Sequence, residues 1–493
     1  MKRVFSHPLI ALALGLWLRL FFLLKYPVGT SGDTALYEDL ATNWLKHHAY
    51  AMTIDSAILP VDVRMPGYPA FLSLIYALTA HTGVSARTWV MLAQATVDLL
   101  GCVFIACIAV RLLQTALGSA NKSAAFRAGF WIAALCPITA NYNAVLLTEI
   151  VATCISATAL CLLVRLAASC SELFNPAARL KASWDKTPEC WAALFGLSVG
   201  ALALFRPESP ILLASAWLAL AWSFWKRREL RRWFKLALLS ALFCTIALGP
   251  WAIRNAITLR EFQFLAPKDT NLPSEHPPYG FMAWEKTWLY RMSDCYAVTW
   301  KLNEEPINLD DIPARAFDSE SEKSSIVALI AQHNQSLNLT QEQDAAFGQI
   351  ARQRSARHPL RTFLWVPLQR AFTIWFAPRI ELLPFSGNVF PLKQNWEDDR
   401  TDQLVTAGFF LLNVSYLGLA LYGFVRLWNL SHRIRPALFA IAIYLLLRTA
   451  FLTTVEAPEP RYVLVCFPII LALAATAIVP RPAPGESSRE ISA

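Results

Sequence analysis

Long apolar runs, each closed by a charged or proline-bearing segment, set the pattern of this chain. They fall at 8–26, 89–111, 128–146, 149–167, 190–205, 209–225, 235–253, 404–426, 436–455 and 462–479. A helix rises 1.5 Å per residue, so roughly 20 apolar residues cross about 30 Å of hydrocarbon. The pattern predicts an all-α polytopic membrane protein with about ten spans, within a range of nine to twelve. PGYPAFLSLIYALTA, Pro66 to Ala80, is shorter and proline-punctuated, which suits an interfacial or re-entrant helix. The first run resembles a signal peptide, but Arg19 interrupts it and no small-x-small site precedes Tyr26, so a retained anchor is expected.

Between the runs, Ser319 to Asn334 and Thr340 to Arg357 read as amphipathic helices, the second opening on a Thr340/Gln343 capping box. The stretch 358–378 mixes Trp, Phe and Arg and reads as an interfacial helix. The expected organisation is an N-terminal membrane module at 1–253 with a first external loop at 27–88. An external region at 254–403, C-terminal membrane helices at 404–480 and a tail at 481–493 follow.

Composition agrees with the pattern: 56% of the 493 residues are hydrophobic and 16% charged, with 18 Trp and 29 Phe, more apolar surface than a soluble core buries. The formal charge of +9 comes from Lys and Arg at the ends of apolar runs, with no basic domain, which excludes a nucleic-acid partner. Lys2 and Arg3, Arg111 with Lys122 and Arg127, Arg179 with Lys181 and Lys186, Lys226 to Lys235, and Arg426 with Arg433 and Arg435 fall on alternate connections. The positive-inside rule puts these and both termini on the cytoplasmic side of an inner (plasma) membrane. Cys102, Cys107, Cys136, Cys154, Cys161, Cys244 and Cys466 lie inside apolar runs and no CxxC occurs, so the cysteines read as packing residues, and Cys295 has no disulfide partner in the external region.

The external side then receives the chemistry-bearing residues. Asp33, in GTSGDTALYEDLATNW, stands just past the first span at the start of a short helix, with Tyr37 and Leu40 turned inward and Glu38 and Asp39 on a solvated face. Arg64, in VRMPGYP, is aimed by Pro66, Gly67 and Pro69, with Tyr68 beside it. Glu149 lies between two apolar runs with no basic neighbour in sequence, where a carboxylate needs water or a partner. Arg206 and Glu208 in LFRPESP, Arg254 and Asn255 in PWAIRN, and Arg461 and Tyr462 in PEPRYV occupy external span ends, where arginine is not expected. Ion pairs of Arg206 with Glu208, and of Arg461 with Glu459 or Glu456, would account for them; a guanidinium is equally the preferred bidentate partner of phosphate.

The order GD…Y, R.PGYP, LTE, RPE, PW..RN, E..RY along the chain resembles bacterial lipid-dependent GT-C glycosyltransferases, the group related to dolichyl-phosphate-mannose protein mannosyltransferases and the lipid A aminoarabinose transferase. The resemblance implies a GT-C-type helix bundle that moves a sugar from a polyprenyl-phosphate donor to an acceptor on the external face. It assigns Asp33 to the catalytic acid position of the first loop. Glu149 takes the second acidic position, which in some relatives helps hold a divalent metal. Where the aminoarabinose transferase has a Glu-Lys pair before its proline, this chain has Arg64 and Met65, which argues against a metal site of that composition and leaves Arg64 for donor phosphate. The residue types suit the reaction in any case: a carboxylate base, Asp33, for the incoming hydroxyl, and Arg254, Arg461, Arg64 and Arg206 for the departing phosphate. No P-loop or GxGxxG motif for a soluble nucleotide-sugar occurs. Two alternatives remain at this stage, a transporter or flippase without bond chemistry and an oligosaccharide ligase. Against the first, the charged groups gather at span ends rather than at the midplane.

Overall fold

The computed structural model describes residues 7–27, 29, 32–117, 121–173, 187–267 and 276–480. Lys2, Arg3, Arg179, Lys181 and Lys186 of the charge pattern, and the tail 481–493, lie outside the described residues. All ten expected apolar runs are helical. Among the described residues, seven helices are long and apolar enough to cross a membrane: Pro8–Lys25, Ala86–Leu117, Glu149–Glu172, Leu230–Thr258, Arg400–Leu430, Arg435–Leu452 and Pro460–Ile478. An eighth candidate, Lys122–Ala134 with Pro137–Ala144, is bent by 47° where Pro137 interrupts the helix. Pro188–Ala203 and Pro210–Trp225, 16 residues each, and Gly67–Thr79, 13 residues, are shorter apolar helices. The protein is a multi-pass, predominantly helical membrane protein.

The chain divides into two compact units, one formed by Met1–Pro267, Pro378–Leu445 and Leu464–Ala493, the other by Lys268–Ala377 and Leu446–Val463. In the first, α1 (Pro8–Lys25) leads into α2 (Gly32–His47), a short hairpin of β1 (Ala51–Ile54) and β2 (Ala57–Pro60), α3 (Gly67–Thr79) and α4 (Ala86–Leu117). The hairpin is absent from the sequence reading. Its antiparallel register pairs Ala51 with Pro60, and Asp55 and Ser56 turn it at positive φ, 48° and 66°. Elsewhere in this unit small residues set the packing. GLSVG puts Gly196 and Gly200 against helix Leu230–Thr258, where a Cβ would lie 2.0 Å from the Ser240 carbonyl oxygen and 2.5 Å from that of Cys244.

The second unit is built on an aromatic core of Phe281, Trp284, Trp288 and Phe347. Helices Glu320–Ser336 and Gln341–Arg357 form as expected. Ser319 Oγ caps the first by accepting from Glu322 N (3.2 Å), and Thr340 and Gln343 make the reciprocal box at 3.2 and 2.9 Å. Arg354, fully buried, meets Asp318 and Glu322 there. The segment expected at the interface becomes a π-turn, Arg361–Trp365, continued by Val366–Phe376, with Phe363, Trp365, Leu368 and Phe372 exposed. All ten cysteines are free thiols, most of them buried.

Candidate functional site

Two of the acid–arginine pairs in the first unit are made of residues singled out in the sequence, and both join distant parts of the chain. Asp33 lies in the first turn of α2, where a carboxylate favours the positive end of the helix. Its Oδ1 sits 3.0 Å from Arg64 Nη2, and the two side chains keep 31% and 29% of their surface exposed. Glu149 opens the helix Glu149–Glu172; its Oε1 is 2.6 Å from Arg206 Nη2, with 3% and 12% exposed. One pair is open to solvent, the other sealed.

Tyr37 links them. Its half-buried ring packs edge-on against Tyr68 at 5.2 Å, and lost hydration pushes its hydroxyl up to about 12. Arg64 and Arg206 oppose that shift while Asp33 and Glu149 add to it, so all four charges act on one hydroxyl.

The backbone around the pairs is held by buried polar groups. Gly67 N donates to the Leu204 carbonyl at 2.8 Å, and a Cβ on Gly67 would meet that oxygen and the Phe205 ring at 2.6 Å, so α3 butts directly onto the turn that carries Arg206 and Glu208. Glu208 is half-buried, and Arg206 pairs with Glu149 across 57 residues. Tyr68 donates to Gln94 Oε1 (2.7 Å), and Gln94 Nε2 donates to the carbonyls of Val145 (2.9 Å) and Asn143 (3.3 Å). Asn143 donates to Asp98 Oδ2 (3.0 Å), which Arg19 also meets at 2.8 Å. A continuous network thus runs from the middle of α1 to the segment that delivers Glu149.

Arg254 points elsewhere. Its Nη1 donates to the Val61 carbonyl (2.8 Å) and to Asn255 Oδ1 (2.9 Å), its Nη2 to the Tyr50 carbonyl (2.5 Å), and its guanidinium lies over the Tyr50 and Trp251 rings. Tyr50 in turn donates its hydroxyl to the Arg64 carbonyl at 2.8 Å. Arg254 therefore holds the hairpin and the segment that presents Arg64. Asn255, fully buried, also donates to the Gln263 carbonyl at 3.4 Å.

Arg461 and Tyr462 belong to the second unit. Arg461 forms the expected ion pair with Glu459, whose other oxygen accepts from the Tyr462 hydroxyl at 2.5 Å, while Glu456 goes to Lys286 at 2.5 Å.

Among the described residues, no group of three or more His, Cys, Asp or Glu stands together as a metal ligand set. Asp33 and Glu149 are each matched to an arginine.

No protein-family model matches the chain, and no curated protein matches its sequence. Solved structures are similar to it at low identity. The oligosaccharyltransferase of Archaeoglobus fulgidus tethered with an acceptor peptide aligns over 95% of this chain and 49% of its own, at 14% identity and a TM-score of 0.49. The same archaeal enzyme, AglB, in complex with an inhibitory peptide and a dolichol-phosphate, aligns over 95% and 50%, at 13% identity and 0.46. ArnT from Cupriavidus metallidurans bound to undecaprenyl phosphate aligns over 96% and 77%, at 13% identity and 0.37. The chain spans about half the length of the oligosaccharyltransferase chains it matches.

Of the residues singled out in the sequence, Asp33, Arg64, Tyr37, Tyr68, Glu149 and Arg206 come together. Asp98, Gln94 and Asn143 were missed. Asp98 carried a signal, a carboxylate inside an apolar run with Arg19 in another, which calls for a partner at bilayer depth.

Proposed function

We propose that the protein transfers a glycosyl residue from a polyprenyl-phosphate-linked sugar to a hydroxyl of a lipid, glycan or protein acceptor, on the external face of the inner membrane. The acceptor oxygen attacks the anomeric carbon and forms the new C–O bond; the bond from that carbon to the phosphate oxygen breaks, and the lipid phosphate leaves with the electron pair. The acceptor's proton passes to the Asp33 carboxylate, acting as general base. Arg64 meets the phosphate beside Asp33, and the Glu149–Arg206 pair fixes the charge behind Tyr37. Arg254 acts as a positioning residue for the Arg64 segment.

The observation that supports this reading is the contrast between the pairs, Asp33 and Arg64 about 30% exposed and Glu149 3% exposed. A base and a phosphate ligand must be reachable, and only the first pair is.

The test is reconstitution of the purified protein with labelled polyprenyl-phosphate sugars and candidate acceptors, comparing wild type with Asp33→Asn. Removing a general base lowers the rate by roughly 10²–10⁴-fold. Equal consumption by both proteins would remove Asp33 as the base, and relocation of the lipid between leaflets with no bond broken would leave a flippase.

A further inference from the structure

Helices Pro210–Trp225 and Leu230–Thr258 are joined by a loop of four residues, yet they do not close along their length. Between them lies an apolar groove of about 370 Å³ lined by Ala214, Trp217, Trp233, Phe234, Leu238 and Ala241, among others. On the neighbouring face of helix Leu230–Thr258, Ser240 and Cys244 pack closely on Gly196 and Gly200, while Phe234 and Leu238 in the groove stay exposed. Two indoles form its floor at the loop end: Trp233 Nε1 donates to the Trp217 carbonyl (3.0 Å) and Trp217 Nε1 to Ser240 Oγ (2.9 Å). Their polar atoms are thereby satisfied, and the groove surface is almost wholly carbon.

The mouth of the groove is strongly basic. Lys226, Arg227, Arg228, Arg231, Arg232 and Lys235 occupy ten residues in which Glu229 is the only acid. Lys226 to Arg231 are all exposed, with Lys226 over the Trp222 ring at 4.6 Å. Helical spacing puts Arg231 on the same stripe as Phe234, Leu238 and Ala241. From Arg231 to Ala241 that stripe runs about 15 Å at 1.5 Å per residue, the reach of about twelve methylenes. An apolar slot of that length beneath a cationic rim matches one class of molecule, with charge for the head and carbon for the tail.

We propose that this groove is a specific site for an anionic diacyl phospholipid of the cytoplasmic leaflet, its phosphate at Arg231 and the Lys226–Arg228 turn and one acyl chain along the groove. The site is separate from the Asp33 and Glu149 pairs and does not depend on the transfer reaction proposed for them.

The test uses the full-length protein in detergent, with native mass spectrometry counting bound lipid and thermal melting reading its effect, against phosphatidylglycerol, phosphatidylcholine and inorganic phosphate. Wild type should retain one phosphatidylglycerol at least tenfold better than phosphatidylcholine and melt higher with it, with no response to inorganic phosphate. Arg231→Gln should lower that preference at least fivefold. Ala214→Trp, which fills the groove from an exposed position, should abolish retention. Phe234→Ala, which removes only an exposed wall, gives a second reading should Ala214→Trp misfold, and is expected to lower retention severalfold. Equal retention of phosphatidylcholine, full competition by inorganic phosphate, or retention unchanged in Arg231→Gln and Phe234→Ala would overturn the proposal.

Discussion

Replacing Arg19 by leucine should cost about 3–5 kcal/mol of stability, and replacing Asp98 by leucine in the same chain should restore most of it. Arg19 is fully buried; its Nε and Nη2 lie 2.9 and 2.8 Å from Asp98 Oδ2, and its Nη1 donates to the carbonyls of Gly15 (2.8 Å) and Ala134 (2.7 Å). At an effective dielectric near 20, unit charges this close attract by about 6 kcal/mol. Removing both ions from water takes back most of that gain, so the pair as a whole contributes little and its isosteric apolar replacement is close to neutral. A single substitution is different: it leaves Asp98, 5% exposed, desolvated without its cation, and it strips the Ala134 carbonyl of a donor worth about 1 kcal/mol. Asp98→Leu alone strands Arg19 in the same way. Unfolding of the purified protein in mixed micelles, titrated with a denaturing detergent and followed by tryptophan fluorescence, measures all four corners of the cycle. The reasoning fails if either single variant stays within about 1 kcal/mol of wild type, or if the double variant loses the sum of the two.

Gly67→Ala places a Cβ 2.6 Å from the Leu204 oxygen and should cost about 1–3 kcal/mol in the same titration, with the proposed transfer activity falling because Arg206 shifts with the turn. Asp39→Asn should loosen β1, since Asp39 accepts from Thr53 N (2.7 Å) and Thr53 Oγ1 (2.9 Å); faster hydrogen exchange at residues 51–54, absent from Asp33→Asn, separates the two acids. In the second unit, burial pushes Glu285 up to about 8, with Thr299 Oγ1 donating to it at 2.6 Å. A carboxyl held above its unfolded value of about 4.5 binds a proton that the unfolded chain has lost, so this unit loses stability as pH rises from about 4.5 to 8. Glu285→Gln should therefore slow exchange across residues 281–351 at pH 8 and leave it unchanged at pH 4.

The helices were legible because apolar runs of span length admit few alternatives, and the Thr340 box because its signal lies within four residues. What stayed hidden were choices of partner. Glu149 was expected to need one, but nothing local distinguishes Arg206, 57 residues away, from an arginine paired with Glu208. Helical spacing alone puts Glu38 and Asp39 on a solvated face. In the structure Arg87 grips Glu38 at 2.7 Å through both Nε and Nη2, Tyr76 donates to it at 3.1 Å, and Asp39 anchors the hairpin. That hairpin escaped detection because strands of four residues show too little alternation to register. Leu40, by contrast, is fully buried as its helical position required.

Arg254 shows how a guanidinium at a span end can be held by its own chain. Its position at a span end, against the positive-inside rule, was a sound reason to suspect a ligand, and the structure supplies a different reason: three acceptors and two aromatic faces of its own chain. A guanidinium so engaged would have to surrender about 1.5–3 kcal/mol per charged hydrogen bond to reach a phosphate. Arg64 faces a smaller barrier, because the Asp33–Arg64 pair keeps about 30% of its surface open to water and ion pairs near the surface contribute about 1 kcal/mol or less. An incoming phosphate that takes Arg64 also leaves the Asp33 carboxylate less stabilised and hence more basic, so the proposed donor would sharpen the proposed base as it binds.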